Sequence, residues 1–152
     1  MPYQWPVYDM VVLPGSFPFG GMENVQLTFL SKSLIAGDRS LATVVAHEIV
    51  HSWAGNLVTN KSWTDFWLNE GFTVYIERLI AGALATEAYR HFEIYLGYQG
   101  LVKAVAEFGE SNKEYTKLQP NTDGKDPDEV FSRVPYEKGS LLLFHLEHHC
   151  TF

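Results

Sequence analysis

The pentapeptide His47-Glu48-Ile49-Val50-His51 contains residues whose types and spacing could do chemistry. In a helix, two side chains four residues apart lie on one face, one turn apart. Two imidazoles placed in this way can bind one metal ion. Zinc suits them because it takes nitrogen ligands in a tetrahedral site that can keep one position open. Glu48 can then act as the base for a metal-bound water. The spacing indicates a hydrolytic zinc site, and the alternative is two ordinary histidines around a surface glutamate.

A third ligand is predicted at Glu70, in the run Trp67-Leu68-Asn69-Glu70-Gly71. Catalytic zinc commonly has three protein ligands and a water, and two histidines with one glutamate form a known set. The segment between His51 and Glu70 is long enough to turn one helix back on another. With Glu70 included, a chance match to the motif becomes much less plausible than for the pentapeptide by itself.

Glu77 lies seven residues after Glu70 and falls on the same helical face. It is a candidate acceptor for the ring N–H of a ligand histidine, because such hydrogen bonds usually orient metal-bound histidines. The alternative is a solvated glutamate that pairs with Arg78 or another surface charge. The remaining histidines have no ligand spacing toward the motif, and we expect them at the surface or in packing: His91, His145, His148 and His149.

Two helices are predicted to carry these residues. The first covers residues 40–58, and its apolar positions should pack into a core on the side opposite the histidines: Leu41, Val45, Ile49 and Trp53. The second covers residues 65–84, with Phe72, Ile76 and Leu79 on its buried face. Residues 59–64 should connect the two helices as a loop.

The rest of the chain predicts strands followed by helices. Residues 7–13 and 25–30 have the apolar pattern of strands, and residues 14–21 are rich in glycine and proline. Residues 86–108 predict a third helix, which Gly97 and Gly100 could break in two. Residues 110–129 predict a long polar loop, and a last helix should begin near Pro135.

Length and charge indicate how many domains to expect and which partners are disfavoured. The 152 residues are enough for one domain, and the net charge of −7 disfavours nucleic acid and anionic membranes as partners. No apolar run reaches the roughly 18 residues of a membrane-spanning helix. The amino terminus lacks the pattern of a signal peptide, so a cytoplasmic location is expected. A single cysteine, Cys150, excludes an internal disulfide.

Together the motifs resemble those of the gluzincin zinc aminopeptidases, and most closely their leukotriene A-4 hydrolase and aminopeptidase B branch. The resemblance spans nearly the whole chain and rests on these segments: Phe17-Pro18-Phe19-Gly20-Gly21-Met22-Glu23-Asn24, residues 47–60, residues 67–71, and Pro135-Tyr136-Glu137-Lys138-Gly139. It implies an α+β fold, namely part of a thermolysin-like catalytic domain. Residues 1–36 would supply short edge strands with the Gly20–Asn24 segment, and residues 37–152 a helical zinc lobe. Both ends look cut, so the amino- and carboxy-terminal domains of a larger enzyme are expected to be missing.

The resemblance also implies a role for each matching position. His47, His51 and Glu70 would bind one zinc ion, and Glu48 would be the general base. Glu23 would hold the free amino terminus of a peptide, because a fixed carboxylate can pair with its ammonium group. Tyr136 would donate a hydrogen bond to the oxyanion. The remaining positions of the substrate-binding segment are Gly20, Gly21, Met22 and Asn24.

Three rival functions stay open at this stage. The first is hydrolysis of a fatty-acid epoxide at the same zinc, because Asp128 matches an aspartate that directs water in the leukotriene enzyme. Phe131 departs from that pattern, since a tyrosine is expected there, and Asp128 could simply be a turn residue after Pro127. The second is an endopeptidase, and the third is an inactive fragment that binds only zinc or a partner.

Overall fold

A computed structural model describes residues 1–150, leaving out the side chains of residues 127 and 128. The chain divides into two compact units, Met1–Thr59 and Asn60–Phe152. The sequence-based subdivision at residue 36 left the first motif helix with the later helices, whereas the compact units group that helix with the strands. A small sheet with a mainly helical remainder agrees with the predicted α+β class.

The first unit is built on a three-stranded sheet of order β1-β3-β2. Strand β1 (Asp9–Leu13) runs parallel to β3 (Leu27–Ser31), and β2 (Gly21–Met22) runs antiparallel to β3. The sequence predicted β1 and β3 with slightly different ends, and it did not predict β2, which is too short for an alternating pattern. The Gly21↔Leu30 and Met22↔Phe29 pairs fix the backbone of the predicted substrate-binding segment against the sheet.

Helix α1 (Ala42–Val50) is much shorter than the predicted helix over residues 40–58. After Val50 the chain turns, and an isolated β-bridge joins Ala54 to Val58. Gly55 has φ of 135°, in a region that side chains with a Cβ atom rarely adopt. A helix could not run through this glycine to residue 58, although the apolar spacing continues to Trp53.

The second unit consists mainly of helices. Helix α2 (Phe66–Leu84) follows a 3-10 turn, and α3 (Glu87–Phe108) begins at Thr86, whose side chain accepts a hydrogen bond from the Tyr89 N–H. A short helix α4 (Pro127–Val130) and the longer α5 (Val134–His149) complete the unit. Proline in the first turn of α5 suits a helix start, as the sequence predicted.

Helix α3 is continuous, so the predicted break at Gly97 and Gly100 is wrong. Gly97 is instead a point of close packing, because a Cβ atom there would overlap the Glu137 carboxylate and the Arg78 guanidinium. The predicted loop over residues 110–129 also contains structure, namely a 3-10 segment at Glu110–Thr116 and the start of α4.

The predicted apolar faces of the two motif helices are only partly confirmed, because Val45, Trp53, Ile76 and Leu79 are half-buried and the other positions are exposed. Ile49 on α1 and Phe72 on α2 are 36% and 38% exposed. The buried positions of α2 are mostly polar or small: Asn69, Glu70, Gly71, Thr73, Val74, Arg78 and Ala81. Polar groups can be buried when their partners are buried with them, and apolar periodicity does not register such pairs. Among the described residues, no helix is long and apolar enough to cross a membrane.

Candidate metal centre

The two histidines of α1 come together as their spacing predicts. Their Nε2 atoms lie 3.1 Å apart, and the ring centroids are 4.7 Å apart at 79°. Two nitrogen ligands of a tetrahedral zinc, each about 2.0–2.1 Å from the ion, are about 3.3 Å apart. The pair therefore fits a zinc ion with only a small adjustment.

His51 is held by the turn that ends α1. Its Nδ1 atom lies 2.9 Å from the carbonyl oxygen of Ala54, and the residue is only 1% exposed. A proton on Nδ1 that is donated to this carbonyl leaves the lone pair of Nε2 available to a metal ion. Such a bond fixes both the tautomer and the plane of a ligand imidazole.

Glu48 is buried between α1 and strand β2. The residue is 5% exposed, and a Cβ atom at Gly21 would overlap its carboxyl group. The β2 backbone thus passes directly over the carboxyl group of the predicted base. A carboxylate confined in this way keeps its position beside the histidines better than one on an exposed helix surface.

Glu23 approaches the same place from the segment after β2. Glu23, Glu48 and His51 each offer one atom that could bind a metal, and these three atoms lie within 4.8 Å of one another. The Asn56 side-chain amide donates to the Glu23 carbonyl oxygen at 2.9 Å, which ties this segment to the turn after α1. The first unit therefore brings together the predicted amino-terminus anchor, the base and one histidine.

A hydroxyl pair borders Glu48 on the sheet side. The Tyr8 hydroxyl and the Thr28 hydroxyl are 2.7 Å apart, and Thr28 is fully buried. Burial raises the pKa of Tyr8, the bond to Thr28 opposes this rise, and the negative charge of Glu48 adds to it. Tyr8 thus stays protonated near the carboxylate well above neutral pH.

The other positions of the predicted substrate-binding segment line one side of β2. Gly20 precedes the strand, and its carbonyl oxygen accepts a hydrogen bond from the Ser31 N–H at 2.8 Å. Met22 is partly exposed, and the Asn24 N–H donates to the Met22 carbonyl oxygen at 3.0 Å. The bond from Ser31 and the pairing of β2 with β3 keep Gly20 to Met22 extended, whereas the bond from Asn24 to the carbonyl two residues back turns the chain at Glu23.

The second unit contains Glu70 and Tyr136. Glu70 lies in the first turn and a half of α2 and is 4% exposed. Tyr136 lies near the start of α5, where its ring is 5.9 Å from that of Phe66 and 6.1 Å from that of Phe131. The approach of Glu70 to the two histidines stays a prediction, as does the catalytic role of Tyr136.

Glu77 and Asp128 have less structural support. Glu77 is half-buried on α2, and its neighbour Arg78 forms an ion pair with Glu137. The role of Glu77 beside a ligand histidine stays a prediction. Asp128 lies outside the described side chains.

Sequence reasoning missed the groups that position the site. The Ala54 carbonyl oxygen orients His51, and the bare backbone of Gly21 makes room for Glu48. The pair Gly55-Asn56 is a turn signal that could have ended α1 in the prediction. No sequence signal identifies Tyr8 as a neighbour of Glu48, or Thr28 as its hydrogen-bond partner, because these residues are far apart in the sequence.

Comparison with known proteins places the chain among peptidases. Leucine aminopeptidase 2 of Aspergillus niger is 54% identical over 146 residues, which cover 96% of this chain and 24% of that protein. Leucine aminopeptidase 2-1 of Meyerozyma guilliermondii is also 54% identical, over 95% of this chain and 24% of its own length. The chain therefore spans about a quarter of the length of these curated relatives.

The chain is also similar to solved structures, again over nearly its whole length. Native leukotriene A4 hydrolase from Saccharomyces cerevisiae matches with a TM-score of 0.90 and 50% identity, over 97% of this chain and 23% of the other. The complex of the yeast enzyme with bestatin matches equally well over 96% of this chain. The model of the peptidase family M1 domain matches residues 1–151. The chain thus belongs to peptidase family M1, as its motifs predicted.

Proposed function

We propose that this chain carries the zinc site of an aminopeptidase, which removes amino-terminal residues from peptides. The observation that supports this most is the pair of Nε2 atoms 3.1 Å apart, with His51 anchored through its other ring nitrogen. Membership of family M1 and the leucine aminopeptidase relatives point to the same activity.

Glu70 is the proposed third ligand. Its motif position matches, and its carboxylate is buried, as carboxylates are when they are paired or bind a metal. When bound, zinc supplies a Lewis acid that polarises the scissile carbonyl and lowers the pKa of water. One zinc ion per chain is expected.

Glu48 moves the proton in the proposed reaction. Its carboxylate accepts a proton from the attacking water and later delivers it to the nitrogen of the leaving amine. Confinement by the β2 backbone at Gly21 keeps the carboxylate near the histidines during both transfers. Its burial also excludes bulk water, which strengthens its interactions with charged groups.

Glu23 and Tyr136 orient the substrate in this proposal. The Glu23 carboxylate pairs with the ammonium group of the substrate, so cleavage occurs after the first residue. The extended residues Gly20 to Met22 run beside the peptide backbone. The Tyr136 hydroxyl donates a hydrogen bond to the oxygen that gains negative charge.

The proposal is tested by zinc stoichiometry and turnover of an unblocked aminoacyl arylamide, measured on the same purified chain and on its Glu48→Gln variant. One zinc per chain, with turnover that the variant loses, supports the proposal. Zinc without turnover supports the view that the chain only binds zinc or a partner. Turnover of amino-blocked peptides supports an endopeptidase and contradicts the role of Glu23.

Hydrolysis of a fatty-acid epoxide is the second candidate, because the solved structures similar to this chain are of a leukotriene A4 hydrolase. Asp128 would direct the water, while zinc and its ligands would be shared with the peptidase. A lipid-epoxide assay on the chain and on Asp128→Asn decides between them. Epoxide turnover that depends on Asp128 supports the second candidate, and its absence leaves the aminopeptidase.

A further inference from the structure

We propose that the buried Arg78–Glu137 ion pair is a positioning device for Tyr136, the residue that supports the oxyanion. This inference rests on the aminopeptidase proposed above and concerns only the second unit. Arg78 lies on α2, the helix of Glu70, and Glu137 directly follows Tyr136 on α5. The pair therefore joins the helix that carries the proposed third ligand to the helix that carries the proposed oxyanion donor.

The ion pair is buried and is held by short hydrogen bonds. Arg78 Nη2 donates to Glu137 Oε2 at 2.7 Å, and Arg78 Nη1 donates to the Ser140 hydroxyl at 2.9 Å. The side chains of Arg78 and Glu137 are only 10% and 11% exposed. The guanidinium thus bonds two successive turns of α5, so it resists both sliding and rotation of that helix. Charged, directional bonds of this kind define geometry more sharply than apolar contacts do.

Two glycines set the distance between the same helices. A Cβ atom at Gly71 would lie 2.8 Å from Gly139 Cα, and one at Gly139 would lie 2.9 Å from Gly71 Cα. The helices therefore meet backbone to backbone, and Gly71 is the residue next to Glu70. Any larger side chain at either position must push α5 away from α2.

A third helix makes room for the pair. Gly97 of α3 faces Glu137 and Arg78 so closely that a Cβ atom would overlap both. Helices α2, α3 and α5 thus enclose the ion pair, and Glu137 of that pair is the residue directly after Tyr136. Because neighbouring residues on a helix point about 100° apart, a fixed Glu137 also fixes the direction of the Cα–Cβ bond of Tyr136, from which its ring extends.

The functional consequence is a specific effect on kcat. A hydroxyl that stabilises a transition state must lie about 2.7–3.1 Å from the oxyanion, and a small displacement weakens the bond. Substrate binding depends on other groups in the proposal. Loss of the ion pair should therefore lower kcat about tenfold, while KM changes less than about twofold.

The test is a double-mutant cycle between Glu137→Gln and Tyr136→Phe, with kcat and KM measured on the arylamide. If the pair acts through the Tyr136 hydroxyl, Glu137→Gln lowers kcat about tenfold in the parent and less than about twofold in Tyr136→Phe. An equal loss in both backgrounds, or no loss in the parent, overturns the proposal. Gly139→Ala, which moves α5 without removing a charge, repeats the cycle if Glu137→Gln fails to fold.

The matched control is Glu147→Gln. Glu147 also lies on α5 and also accepts from a buried arginine, Arg90, but it is ten residues from Glu137. This variant removes an equivalent ion pair of the same unit, and it should leave kcat and the coupling to Tyr136 unchanged. A tenfold loss of kcat here would mean that any damage to the helical unit lowers activity, and it would contradict the proposal.

A measurement that does not depend on enzymatic turnover separates this inference from the proposed function. In metal-free protein with 13C-labelled tyrosine, the Tyr136 ring signal is assigned by its loss in Tyr136→Phe. Because the Phe66 and Phe131 rings lie beside Tyr136, its chemical shift reports position. Glu137→Gln should move this signal and Glu147→Gln should not. An unmoved signal overturns the positioning role, whereas a moved signal in a chain without turnover leaves positioning intact and contradicts only the proposed activity.

Discussion

The Nδ1 atom of His51 lies 2.9 Å from the carbonyl oxygen of Ala54. This contact depends on α1 ending at Val50, since in a longer helix the Ala54 carbonyl would point along the helix axis, away from the His51 ring. The turn that shortens the helix therefore also orients the ring. The remaining nitrogen, Nε2, faces the Nε2 atom of His47.

Substitution of His51 by alanine should abolish stoichiometric zinc binding, because one histidine cannot hold the ion as a chelating pair does. Zinc content after gel filtration measures this. His149→Ala is the matched control, since His149 follows His145 at the same spacing on α5 but is exposed. Full zinc content in His51→Ala, or its loss in His149→Ala, would place the metal elsewhere.

Substitution of Glu48 by glutamine should lower kcat by about 10²–10⁴, because an amide cannot accept and deliver the proton. The zinc content should stay at one per chain, since Glu48 is not a proposed ligand. Arylamide turnover and metal analysis on one preparation check both. Glu107→Gln removes an exposed carboxylate paired with Lys103 and should have no effect on turnover. Retained activity in Glu48→Gln would exclude its role as the base.

Substitution of Gly97 by alanine should destabilise the protein by about 1–3 kcal/mol through overpacking against Glu137 and Arg78. Gly100→Ala on the same helix is the control. Its Cβ atom would lie 3.1 Å from the end of the Arg133 side chain, which can move, and alanine favours helix by about 1 kcal/mol. Urea unfolding measures both variants. Equal effects at the two positions would contradict the packing described for Gly97.

The Arg90–Glu147 pair should make the free energy of unfolding depend on pH in the acidic range. The hydrogen bond from Arg90 lowers the pKa of Glu147, burial opposes this shift, and the charge of Arg90 and the bond from Tyr75 support it. The unfolded chain, with an ordinary pKa near 4.5, binds the proton first as the pH falls. The contribution is thus complete above that value and is lost as the pH falls through the lowered pKa.

Unfolding by urea at several pH values checks this dependence. Glu147→Gln should be less stable than the parent at pH 7, and the difference should shrink progressively below about pH 4.5 as Glu147 becomes protonated in the parent. Glu110→Gln, an exposed carboxylate 3.7 Å from Lys113, should show no such change. A constant difference between Glu147→Gln and the parent at all pH values would mean that the pair is not the source.

Residue type and spacing were enough to predict that the two histidines of the motif come together. Side chains four residues apart on a helix must share a face, so the pairing of His47 and His51 followed from local geometry. The same local rules predicted α2, α3 and α5 with small errors at their ends. The resemblance of the motifs to a known family supplied the α+β class and the family, which the structure and the comparisons confirm.

Only the tertiary structure decided which groups hold the site in place. The buried residues of α2 include Arg78 rather than Phe72, because Arg78 has its hydrogen-bond partners on α5 and apolar periodicity does not register them. The close approaches of Gly21 to Glu48 and of Gly71 to Gly139 join residues far apart in sequence. Motif spacing predicts which side chains share one face of a helix, because that depends on local geometry alone. Burial and orientation depend on contacts between elements, and these exist only once the chain has folded.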